Sequence, residues 1–151
     1  MVKPQPPGSD PAGAAQSDGL VDALVQTSFV TMAVLNKLGA ENDLSLTQLR
    51  VLAILRDRRL RMTALADYLG LEKSTMTGLV DRAEKRGLLI RAPNADDRRA
   101  VDVMLSPDGV ALGDRLYVQV RRSLAPLTSE LGPADGRRLQ TLLERMLGRP
   151  A

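Results

Sequence analysis

A small residue, a glycine four positions later and leucines on both sides restrict this chain more than any other feature. In residues 62–81, Ala66 and Gly70 are set among Leu65, Leu69, Leu71, Met76 and Leu79. The small side chain lets two helices cross closely. The glycine permits the positive φ of a tight turn, and the apolar positions join helix to helix. The unit predicted is a helix-turn-helix, with two ordinary packed helices as the plain alternative. In its second helix Met76, Leu79, Val80 and Ala83 fall at i, i+3, i+4 and i+7 and face a core. Ser74, Thr77, Gly78, Asp81, Arg82 and Lys85 are left on the outside.

The periodicity on either side completes the fold class. Apolar residues at helical spacing predict a first helix over residues 18–39, stopped by Gly39. Ser45 and Gln48 have the form of a capping box and open a second helix that ends near Arg58. A short third helix covers 61–69, with Thr63 as its N-cap, and a fourth covers 73–86, closed by Gly87. The period then shortens to two. Residues 88–91 and 100–105 read as strands, with Val101, Val103 and Leu105 on one face. Turn residues from Pro93 to Asp97 join them into a hairpin. Ser106-Pro107-Asp108 has the hydroxyl, proline and acid of a helix start. In the helix that follows, Gly113, Tyr117, Val120, Leu124, Leu127 and Leu131 form a heptad-like seam, with a kink expected at Pro126. Beyond Gly132-Pro133, a last helix places Leu139, Leu142, Leu143, Met146 and Leu147 on one face. Residues 1–17, with four prolines and little apolar surface, read as a disordered tail. The architecture predicted is mainly α with a small β-hairpin wing. Residues 18–44 form a dimerisation helix and linker, 45–105 a winged helix-turn-helix and 106–151 C-terminal dimerisation helices.

Composition removes most other functions. The chain has 151 residues and neither cysteine nor histidine. Thiolate and imidazole metal sites, and Ser-His-Asp or Cys-His catalysis, are therefore excluded. No glycine-rich phosphate loop and no paired carboxylates suggest an enzyme, and no cofactor or metal is expected. No apolar run approaches the ~18 residues that span a bilayer. The start of the chain lacks the apolar stretch of a secretory signal, so a cytoplasmic location without membrane association is expected. Charge is concentrated at the centre. Residues 48–100 hold 12 Lys and Arg against 7 Asp and Glu, a net of +5, while the rest of the chain carries −2. A basic central module suits a polyanion.

The outer face of the fourth helix suits close approach to a DNA major groove. Ser74, Thr77 and Gly78 are small, and Arg82 reaches a guanine edge or a phosphate. Lys73, Ser74 and Thr75 stand at the helix N-terminus, whose free N–H groups favour phosphate. Asp81 is repelled by DNA and is expected to pair with a neighbouring arginine. At the hairpin tip, Asp96-Asp97-Arg98-Arg99 presents basic side chains to an adjacent minor groove, with Asp97 expected to clamp an arginine as a bidentate pair.

These residues carry a resemblance. The run from Asp97-Arg98-Arg99 through Ser106-Pro107-Asp108-Gly109 resembles the D-x-R wing signature of the MarR family. Leu65-Ala66-Asp67-Tyr68-Leu69-Gly70, residues 74–88 and residues 46–52 are similar to its helices. The resemblance covers about residues 18–148 and is most specific over 46–109. It implies a winged helix-turn-helix homodimer whose first and last helices interlock, and a pseudo-palindromic operator in double-stranded DNA read by two recognition helices and two wings. By position it implies Arg99 as the minor-groove arginine, Arg98 as a backbone contact and Asp97 as the orienting acid. Lys73, Ser74, Thr75, Thr77, Gly78 and Arg82 lie where members touch DNA. Many members release DNA on binding a small, often aromatic or lipophilic ligand. Others sense oxidation through cysteine or bind zinc, and a chain without Cys or His falls outside those subgroups.

The terminal helices point to a dimer on their own terms. Val21 and Leu24 in the first, with Leu139, Leu142, Leu143 and Met146 in the last, extend an apolar stripe beyond what a small winged domain covers. Folding back as an intramolecular bundle is the alternative. The function expected is a sequence-specific transcriptional regulator, a repressor, released from its operator by a small molecule. A winged module that docks a protein instead needs neither the basic outer face of residues 74–85 nor the arginines at the hairpin tip.

Overall fold

The computed structural model describes residues 11–148, with side chains from residue 18 onward. Six helices and three short strands alternate as α1 (Pro11–Glu41), α2 (Leu46–Leu55), β1 (Leu60–Arg61), α3 (Met62–Leu69), α4 (Lys73–Lys85), β2 (Leu89–Pro93), β3 (Val101–Leu105), α5 (Pro107–Thr128) and α6 (Pro133–Met146).

The local signals that form these elements are mostly those legible in the sequence. Ser45 and Gln48 make the full capping box of α2, with the Gln48 amide donating to Ser45 Oγ at 3.2 Å and the Ser45 amide to Gln48 Oε1 at 2.8 Å. Gly70 (φ 65°) and Gly87 (φ 73°) take the left-handed conformation that ends α3 and α4. Ser106 caps α5 by accepting the Gly109 amide at 2.9 Å, and its hydroxyl donates to the Gly87 carbonyl. One side chain thus starts α5 and fastens it to the end of α4.

Several boundaries and roles differ from expectation. The tail was placed at residues 1–17; residues 1–10 lie outside the described residues, but α1 already begins at Pro11. Proline fits the first turn of a helix and the alanines behind it are strong helix formers. Gly39 does not stop α1, which continues to Glu41. Its place is instead a close approach, because a Cβ there would lie 2.6 Å from the Leu44 carbonyl oxygen. α1 is also apolar enough over Asp18–Glu41 to reach the length and hydropathy of a membrane span, contrary to the expectation that no run does. Its interior between Asp22 and Lys37 carries no charge.

Thr63 does not cap α3. The helix starts at Met62, and Arg61 fills the cap position without a side-chain bond, because Arg61 still belongs to β1. That strand went unread, since two residues are too few to show a period. β1 makes the sheet three-stranded and antiparallel, in the order β1-β3-β2, with Arg61 opposite Asp102 and Arg91 opposite Val103. α2 accordingly ends at Leu55, earlier than Arg58, to leave chain for the turn into β1. Val103 and Leu105 enter the core as expected, whereas Val101 is exposed and Asp102 is buried. α5 ends at Thr128, so Leu131 leaves the seam, and Tyr117 and Leu127 stay exposed. Pro126 lies in the final turn of α5, where little helix remains to bend.

One core unites the winged unit. Val51, Leu55, Leu65, Met76, Val80 and Val103 are its most completely buried large side chains. They come from α2, α3, α4 and β3, so the recognition helix and the wing stem rest on a common support. α1 packs on α5 and α2.

Candidate nucleic-acid interface

The two faces of α4 separate as the sequence predicts. Met76, Leu79, Val80 and Ala83 are buried. Lys73, Ser74, Thr75, Arg82 and Lys85 are exposed, and Thr77 and Gly78 are half-buried. No side chain caps the N-terminus at Glu72, so the first-turn N–H groups face solvent. The Thr77 hydroxyl donates back to the Lys73 carbonyl at 2.9 Å. A Cβ on Gly78 would meet only Arg82 Nη1, at 3.4 Å. The glycine therefore leaves a shallow floor beside the guanidinium.

Asp81 has the arginine partner expected of it. Arg91 on β2 binds Asp81 through one guanidinium nitrogen and Glu84 through another, and its own amide donates to Glu84 Oε1 at 3.4 Å. The hydrogen bond to Asp81, reinforced by Glu84, raises the Arg91 pKa above its ordinary value. Two carboxylates of α4 are thereby held by one guanidinium of the wing, which offsets one of their two charges.

The wing is organised by residues the sequence reading treated only as turn formers. Asn94 Oδ1 accepts the amides of Asp96 and Asp97, both at 3.0 Å, which closes the turn. Its amide nitrogen donates to the buried Asp102 at 2.8 Å. Arg61 reaches the same Asn94 oxygen at 3.3 Å and Asp97 Oδ2 at 3.9 Å, and Arg59 lies 3.8 Å from Asp102. Asp97 does not clamp a tip arginine by its side chain. It accepts the main-chain amide of Arg99 at 3.0 Å, which sets the backbone direction and leaves the guanidinium free. Among the described residues, neither Arg98 nor Arg99 makes a side-chain hydrogen bond or ion pair. Asn94→Ala is expected to lower stability by about 1 kcal/mol, read as a shift in thermal denaturation, because it withdraws a partner from the buried Asp102.

A family profile described as MarR family matches residues 42–100, the stretch that holds this recognition helix and most of the wing. An uncharacterised HTH-type transcriptional regulator of Bacillus subtilis, YfiV, is 34% identical over 93 residues, covering 58% of each chain. The regulator PecS of Dickeya dadantii is 28% identical over 84% of this chain and 79% of its own. The winged unit, residues 42–100, thus matches the MarR family, and PecS, which matches over more of the chain, is a transcriptional regulator.

The structure of NadR in complex with 4-hydroxyphenylacetate superposes with a TM-score of 0.71 at 22% identity, covering 97% of both chains. The winged-helix fold of MarR regulators thus extends through the terminal helices, beyond the profile match. The winged unit is that of a MarR-family transcriptional regulator.

Two further surfaces stand out on the MarR fold. Residues of α1 and α6 together line an open groove of about 520 Å³, with Leu20, Leu24, Leu139, Leu142, Leu143 and Met146 along it. Val21 and Met146 are more than half exposed, at 53% and 56%, and α6 has no buried residue at all. Five of the six expected dimerisation residues, Leu24, Leu139, Leu142, Leu143 and Met146, thus line one groove that the single chain leaves open, and Val21 stands outside it. A wider cleft, about 1240 Å³, opens between α2 and α5 and is lined by Arg50, Ile54, Arg56, Tyr68, Val110 and Asp114. Arg56 donates to Asp114 at 3.1 Å and lies 4.0 Å from the centre of the Tyr117 ring.

Proposed function

We propose that this MarR-family regulator is a cytoplasmic homodimer that binds a pseudo-palindromic operator and represses transcription there. α4 enters the major groove through Ser74, Thr75, Thr77, Gly78 and Arg82, with Lys73 and the helix N-terminus on phosphate. Arg99 enters the adjacent minor groove, Arg98 meets the backbone and Asp97 directs the tip. The observation that carries this reading is the sorting of charge on the winged unit. Arg91 holds two carboxylates of α4 and offsets one of their two charges, while among the described residues the side chains of the tip arginines have no partner. What remains outward is small, hydroxylated and cationic, as a groove and its phosphates require.

The uncovered apolar faces of α1 and α6 support a second copy as the partner of this surface. A twofold dimer sets its recognition helices about 34 Å apart, one turn of DNA. Release by a small molecule is assigned to the cleft between α2 and α5. Its arginines and Tyr68 suit an anionic group on an apolar or aromatic body. The complex of NadR with 4-hydroxyphenylacetate, a molecule of that kind, supports the assignment.

The test is a binding titration with duplexes selected by the protein from a random pool, with unselected duplex as competitor. Selected DNA is expected to survive the competition. Affinity is expected to fall about 10³-fold or more between 50 and 200 mM salt through counterion release. Sedimentation is expected to give a dimer at micromolar concentration. Equal affinity for any duplex, or a flat salt response, contradicts the reading and favours a protein partner for the wing. A monomer removes the operator symmetry.

A further inference from the structure

Arg86, the residue that ends α4, makes contacts that neither the winged core nor the outer face of α4 requires. Its guanidinium crosses to the junction between α1 and α2, donating from Nη1 to the Asp43 carbonyl at 2.6 Å and from Nη2 to the Asn42 carbonyl at 3.2 Å. These are carbonyls just past the end of α1, where the helix leaves unsatisfied acceptors and partial negative charge. A guanidinium supplies both bonds from one planar fork, so it fixes direction as well as distance. Among the described residues, Arg86 is the only side chain of α4 or its cap hydrogen-bonded to this junction.

The junction itself is stiff. Asp43 has φ 53°, the one non-glycine residue with positive φ among the described residues. The Leu44 amide returns to the Gly39 carbonyl at 2.8 Å, and the Asn42 side chain donates to the Leu38 carbonyl at 2.8 Å. Gly39 has no room for a Cβ, and Leu44 is buried in the winged core. A rigid stop thus stands between α1 and the recognition helix, and Arg86 grips it.

We propose that Arg86 is a positioning residue that locks the recognition helix to the end of α1 and so sets the spacing between the two half-sites a dimer reads. The inference rests on the dimeric, DNA-binding reading above. In such a dimer α1 belongs to the fixed frame and α4 to the reading element. Any angular play between them is magnified at the groove. One base pair of extra spacing also turns a half-site by about 35° around the duplex, so a locked protein tolerates little change. The two bonds are solvent-exposed and individually weak, so their loss acts on geometry more than on folding.

The chain has no native cysteine, which allows a direct measurement. Glu72→Cys places one spin label per protomer at the start of α4, and pulsed EPR of the DNA-free dimer reads the distance between the two labels. A narrow distribution is expected with Arg86 present, a broad one with Arg86→Ala and an intermediate one with Arg86→Lys, which keeps the charge but not the fork. On unlabelled protein, selected duplexes are lengthened and shortened by one base pair at the centre. Parent protein is expected to lose about 10-fold or more in affinity off its preferred spacing, and Arg86→Ala to lose less than about 3-fold, with the melting temperature little changed. Equal distance widths and equal spacing penalties in parent and variants overturn the proposal while leaving the regulator reading intact. A uniform loss of affinity at every spacing also overturns it, since that describes a phosphate contact. If the parent is monomeric or selects no duplex, both readings fall together.

Discussion

Met76→Ala is expected to destabilise the protein by about 2–5 kcal/mol in chemical denaturation. Met76 is fully buried on the inner face of α4, so truncation removes apolar contact and leaves a cavity between the recognition helix and its support. On the opposite face, Ser74 is exposed, and Ser74→Ala is expected to stay within about 0.5 kcal/mol in the same assay. The pair separates the two jobs of one helix. A loss of stability from Ser74→Ala, or none from Met76→Ala, contradicts the face assignment. DNA affinity is expected to respond in the reverse order once the protein is compared at a temperature where both variants are folded.

Arg99→Ala is expected to weaken binding to a selected duplex by about 1–3 kcal/mol, or about 5- to 150-fold, with stability unchanged. Among the described residues the Arg99 side chain has no partner to lose, so its removal acts on the complex alone. The Arg99 amide remains held by Asp97 at 3.0 Å, so the alanine variant keeps the tip backbone. Arg99→Lys is expected to recover part of the affinity, because charge is kept while the planar fork is lost. Unchanged affinity of Arg99→Ala at physiological salt removes the wing from the proposed interface. A fall in melting temperature, by contrast, identifies the residue as structural.

The residues that were legible share a property. Gly70 and Gly87 were read as helix ends, and both have positive φ; the turn they make depends on their own backbone. Ser45 with Gln48 and Ser106 with Gly109 are caps three residues apart. Met76, Leu79, Val80 and Ala83 face inward because a single helical period puts them there. The pairing of Asp81 with an arginine was legible too, from the cost of a carboxylate beside DNA, though not which arginine.

The misread residues share the opposite property. Gly39 resembles a stop in the sequence, but Leu44 presses against it. Thr63 has the type of a cap, but with Arg61 paired to Asp102 in the sheet the cap position falls two residues earlier, at Arg61. Asp102 alternates outward by period, yet it is buried because Asn94 and Arg59 come to it from other elements. Asp97 has an arginine beside it in the sequence and instead approaches Arg61, 36 positions away.

What the sequence determined by itself is therefore the six helices and the two hairpin strands, the inward and outward faces of α4 and the kind of chemistry on its outer side. Each depends on interactions within about one helical turn or on composition, which read directly from residue order. The tertiary structure alone decided which charges cancel and which stay free. Arg91 holds Asp81 and Glu84 and offsets one of their two charges, Arg61 and Asn94 brace the wing, Arg86 grips the end of α1, and among the described residues the side chains of Arg98 and Arg99 are left without partners. Those pairings join groups up to 44 positions apart. No period encodes them; a guanidinium binds whichever carbonyl or carboxylate the packed core brings within its reach.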